Sequence, residues 1–111
     1  METSLLRQAE ALEARLQRLR ISGGRLNTCT SRMRTLVRDL RLAQYLETGE
    51  HPARVDPPDR PLPRDSAAAL RELYLEAAAL ENALYASGMG ALADAAKAVG
   101  ESLRELLRSI L

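Results

Sequence analysis

The chain has 111 residues, sixteen of them basic and fifteen acidic, giving a formal net charge of +1, and it lacks Phe and Trp. That is one domain's worth of chain, and near-neutrality excludes a global field drawing it to nucleic acid or membrane. With 46% hydrophobic but only 3% aromatic residues, the core must be Leu, Ala and Val, which suits closely packed helices and leaves too few strand formers for a sheet.

The charge is uneven. Residues 1–47 carry nine Arg against five acids, and residues 66–111 carry three Arg and one Lys against six acids, so the two ends attract each other. The single cysteine, Cys29, cannot form an internal disulfide, which predicts an intracellular, cytoplasmic protein. No run of ~18 apolar residues is present, so no membrane span is expected, and the N-terminus lacks the charged-then-apolar layout of a signal peptide.

Residues 1–47 read as one long coiled-coil helix. Leu5, Leu12, Leu19, Leu26, Met33 and Leu40 recur every seven positions, with Ala9, Leu16, Gly23, Thr30, Val37 and Gln44 midway between them. Steps that alternate four and three are the heptad of a left-handed coiled coil. At 1.5 Å per residue such a helix is about 67 Å long, too long for so small a monomer to bury. Ser22-Gly23-Gly24 is its weak point, since two glycines cost a helix about 2 kcal/mol relative to Ala. The undisturbed step from Leu19 to Leu26 nevertheless favours one bent helix, because a turn normally resets the phase. Beyond the glycines Cys29, Leu36 and Ala43 widen the apolar stripe, and Leu42, Tyr45 and Leu46 add apolar surface on other sides of the last turns. That width predicts contact with more than one helix.

Thr48-Gly49 ends the helix, and residues 48–65 are a proline-rich linker holding Pro52, Pro57, Pro58, Pro61 and Pro63. Proline at this density favours an extended chain, long enough to run back beside the second half of the long helix. Residues 66–111 read as an antiparallel helical hairpin. Asp65 or Ser66 caps its first helix, whose core face is Leu70, Leu73, Ala77, Leu80 and Leu84. Ser87-Gly88-Met89-Gly90 makes the turn. The last helix places Leu92, Ala95, Val99, Leu103, Leu106 and Ile110 on one side.

Little in the sequence carries chemistry. His51, the only histidine, stands in a Gly-Glu-His-Pro stretch without the partners of a base or triad. One Cys and one His cannot hold zinc, and Gly23-Gly24 lacks the lysine of a phosphate loop. The expectation is a non-enzymatic protein with no metal and no cofactor.

The expected fold is therefore all-α: a long N-terminal coiled-coil helix, a proline-rich linker and a C-terminal antiparallel hairpin. The expected function is a protein–protein interaction module, an adaptor, regulatory or assembly subunit, acting as a coiled-coil dimer or higher homo-oligomer, or within a hetero-complex. Its interface would be Leu5, Ala9, Leu12, Leu16, Leu19, Leu26, Met33, Val37 and Leu40. One alternative is a dimeric nucleic-acid-binding regulator presenting Arg25, Arg32, Arg34 and Arg38 to a phosphate backbone. Another is a small chaperone or inhibitor that sequesters a partner helix. Without aromatic anchors, membrane binding is not expected.

Overall fold

The computed structural model describes residues 3–21 and 23–111; Met1, Glu2 and Ser22 lie outside the described residues. It contains four helices, α1 (Thr3–Leu16), α2 (Gly24–Thr48), α3 (Ser66–Ala86) and α4 (Gly90–Ile110). They form a bundle 45 Å in its longest dimension.

The expected long coiled-coil helix is not what forms. Its residues fold back into two helices that pack on each other. Helix α1 closes with tightened three-residue hydrogen bonds, Arg18 N–H to Arg15 O and Leu19 N–H to Leu16 O. Gly23 then takes φ 141°, ψ 164°, a conformation that L side chains rarely adopt. The unbroken heptad misleads for a simple reason. The connection between Leu16 and Gly24 is seven residues long, so a full turn of the chain leaves the spacing of the leucines unchanged. Folding back lets α1 and α2 bury each other's stripes, so no second chain is needed to cover them.

Helix α2 ends where expected. Gly49 takes the left-handed conformation (φ 77°, ψ 2°) and its N–H bonds Tyr45 O. Residues 50–64 are an irregular strap without helix or strand. The strap does not return beside α2. It runs along α1, where Arg7 donates to Ala53 O at 2.8 Å and Arg15 to Arg60 O at 3.3 Å and Pro61 O at 3.2 Å. Arg41 of α2 holds its beginning by donating to Pro52 O at 3.2 Å. These guanidinium bonds satisfy carbonyls that a proline-rich segment cannot pair in a ladder.

Asp65 caps α3 by accepting from Ala68 N–H at 3.0 Å. Gly88, at φ 75°, makes the turn into α4, with Met89 N–H bonded to Leu84 O. The helices pack in the cyclic order α1, α2, α4, α3, and the diagonal pairs make no close backbone approach. Neighbours run antiparallel, and the strap carries the chain across the diagonal from α2 to α3. Leu6, Leu12, Leu16, Met33, Leu36, Leu40, Leu70, Leu73, Leu80, Leu84, Val99 and Leu103 are all but inaccessible. One core thus draws on all four helices.

Candidate protein-interaction surface

The nine residues assigned to an intermolecular seam lie inside the chain's own bundle. Leu5, Ala9, Leu12, Leu16, Met33, Val37 and Leu40 are buried, and Leu19 and Leu26 are half-buried against the same core. The expected coiled-coil oligomer, and the adaptor role built on it, are therefore corrected: the apolar column that would join two chains is already covered within one chain, α1 and α2 against each other and against α3 and α4.

The arginine face does not assemble either. Arg32 turns toward α4, donating to Ser102 Oγ at 2.5 Å. Arg38 bonds Asp39 on its own helix at 3.2 Å. Arg34 stands near Glu13 of α1, and Arg25, seven residues before Arg32, shares the α4 side. Four cations spread around a helix do not form the single basic track that a duplex backbone requires, so the dimeric regulator loses both its dimer and its surface. Nor do the α2 arginines meet the acids of α3. Glu72 and Glu76 instead receive Arg15 of α1, and Glu76 also receives Arg60 of the strap at 3.1 Å. Arg41 pairs with Glu10 of α1 at 2.5 Å.

What remains available is the outer side of α2. Its buried residues, Cys29, Met33, Leu36, Val37 and Leu40, mark one face at 100° per residue; Ser31, Thr35 and Leu42 point the other way, with Leu46 beside them. Thr35 and Ala95 border one groove, and α4 begins only five residues before Ala95. Helix α4 therefore starts about level with Leu40, and the last two turns of α2 project past it. Leu42 is 52% exposed and Leu46 73% exposed there. The expectation that these residues touch a second helix fails because α4 starts too late to reach them. Tyr45 lies on the other flank, its ring stacked on His51 with centroids 4.2 Å apart.

Toward its N-terminal end the same outer side of α2 forms an open groove with α4, about 550 Å³ in volume. Mostly small side chains border it, Thr28, Ser31 and Thr35 from α2 and Ala95 and Ala98 from α4, together with Asn27 and Arg32. Small residues let another backbone approach closely, and the leucines beyond them offer anchors.

The two residues with the most obvious reactivity are placed without a reaction centre. Cys29 is buried, its Sγ 3.9 Å from Val99 O, and burial pushes its pKa up to about 11, against a smaller opposing effect from Arg32. At neutral pH it is a thiol and not the nucleophilic thiolate. His51 is exposed. Among the described residues no group of three or more His, Cys, Asp or Glu could hold a metal ion, and no helix is long and apolar enough to cross a membrane. No protein-family model matches the chain, and the comparisons with curated proteins and with solved structures return no significant match. The fold and its surfaces therefore define the chain only as an all-helical, antiparallel four-helix bundle.

Proposed function

We propose that the chain is a non-catalytic binding domain whose partner is another protein, docked as an amphipathic helix along the outer side of α2. The observation that carries this reading is the pair Leu42 and Leu46, left largely exposed on a helix whose core face is already used. They continue the groove of small side chains between α2 and α4, so one helix can lie across both. Arg32 borders that groove, which favours an acidic side chain on the docked helix.

A second copy of this chain fits less well. Leu42 and Leu46 are only two exposed leucines, whereas a stable interface takes roughly 800 Å² from each partner. The non-catalytic part of the reading is supported by the protonated Cys29 and by His51, spent on a stack with Tyr45. A free, buried cysteine also suits a reducing, intracellular setting.

A photoreactive residue in place of Leu46, in the full chain within its cell of origin, tests the proposal. The expected adduct joins position 46 to an acidic amphipathic helix of a different protein and disappears in the Leu42→Glu background. Adducts confined to a second copy of this chain contradict it. So do identical adducts from position 75 on α3, where Leu75 is 66% exposed on a different helix.

A further inference from the structure

A second cleft lies at the opposite end of the bundle, where the connection after α1 meets the end of the strap and the start of α3. It has a volume of about 500 Å³. Arg18, Arg20 and Arg64 border it, over a floor that includes Leu19, Leu62 and Ala69. Arg18 is paired with Asp59 of the strap. Arg20 and Arg64 have no hydrogen-bond or ion-pair partner among the described residues. The acid next to Arg64 in the chain, Asp65, is turned to the α3 backbone as its cap. Two uncommitted guanidiniums beside apolar side chains, with a cap carboxylate directed elsewhere, form a site for a charged head and an apolar body.

We propose that this cleft binds a small phosphate monoester, its dianionic head held by Arg20 and Arg64 and its apolar body seated on Leu19, Leu62 and Ala69. A guanidinium matches phosphate oxygens with two parallel N–H donors, and two guanidiniums match the two charges of the head. Arg18 stays paired with Asp59, so that pair is close to neutral and the head is left to Arg20 and Arg64. The floor supplies the selectivity, because inorganic phosphate gains nothing from Leu62.

The test titrates the isotope-labelled full chain with phenyl phosphate and, separately, with inorganic phosphate, following amide shifts. Phenyl phosphate is expected to give saturable shifts at Arg20, Leu62 and Arg64 and to bind about tenfold more tightly than inorganic phosphate. The double variant R20A/R64A is expected to lose about tenfold or more in affinity for both probes. Both side chains are exposed and unbonded, so its melting temperature should match the parent's and the loss cannot be assigned to unfolding. Leu62→Ala should weaken phenyl phosphate and leave inorganic phosphate unchanged. Three outcomes overturn the proposal: no saturable shift at these residues, equal affinity in R20A/R64A, or equal affinity for the two probes, the mark of an adventitious ion only.

Discussion

Arg15 of α1 is ion-paired with Glu76 of α3, and it is the only charged side chain among the described residues that the fold buries, at 4% exposure. The same guanidinium reaches Glu72 and the strap carbonyls of Arg60 and Pro61. It therefore fastens three parts of the chain at one point: the first helix, the strap and the third helix.

Removing that fastening should be costly. Arg15→Ala leaves two carboxylates facing each other and two strap carbonyls without their donor. Breaking a fully buried pair costs 3–5 kcal/mol, but Glu72 is nearly half exposed, so about 2–3 kcal/mol is expected here. Urea denaturation measures it. A loss under about 0.5 kcal/mol, the range of an ordinary surface substitution, would show that the strap and α3 stay in place without Arg15.

Glu13 gives the fold a pH dependence. Its carboxyl titrates above the ordinary range, chiefly because burial disfavours the charged form; Glu10 pushes the same way, and Arg34 and Arg41 oppose it. A raised folded-state pKa means that the folded chain holds this proton more tightly than the unfolded chain does. Stability from this group therefore falls as pH climbs from the ordinary value of 4.5 through the folded one, and the deficit persists at neutrality. Glu13→Gln should melt higher than the parent at about pH 7 and match it at about pH 3, where the Glu13 carboxyl is protonated in both the folded and the unfolded chain. A lower melting temperature at neutral pH contradicts the sign.

The two glycines before α2 should respond in opposite directions. Gly23 holds a positive φ of 141°, so Gly23→Ala is expected to destabilise by about 1–2 kcal/mol. Gly24 is the first helical residue, and a Cβ there would meet nothing within 4 Å. Gly24→Ala should be neutral or stabilise by up to about 1 kcal/mol. In a continuous helix both substitutions would stabilise, so thermal melts of the two single variants separate the hairpin from the long helix.

Leucines of α2 should divide by face. Leu40 is fully inaccessible and Leu46 mostly exposed. Leu40→Ala should cost about 2–5 kcal/mol, and Leu46→Ala less than about 0.5 kcal/mol. Comparable losses at both positions would place Leu46 in a contact that the isolated bundle does not make.

Where local pattern sets the outcome, the sequence was readable. The α3 stripe of Leu70, Leu73, Ala77, Leu80 and Leu84 is buried as its spacing predicts, and so are Val99, Leu103 and Leu106 of α4. Ile110 belongs to the same periodic row yet is 43% exposed, because the helix runs out at the end of the core. The stop at Gly49 and the cap at Asp65 are equally local. The break before α2 was not readable, since a connection one heptad long hides in a seven-residue period. Arg15 was not readable either. It is one of nine arginines in residues 1–47, and its burial depends on where a strap some 45 residues away comes to lie. The exposed pair Leu42 and Leu46 was visible as apolar surface. That nothing among the described residues covers it follows only from where α4 begins.

The central claim is that the leucine column from Leu5 to Leu40 is satisfied within one chain. Sedimentation equilibrium of the purified full chain, with helicity followed across a wide dilution series, tests it most directly. The fold predicts a single species at the chain mass of 12.2 kDa whose helical signal does not change on dilution. A species of twice that mass, losing helicity as it dissociates, would show that the column joins two chains after all.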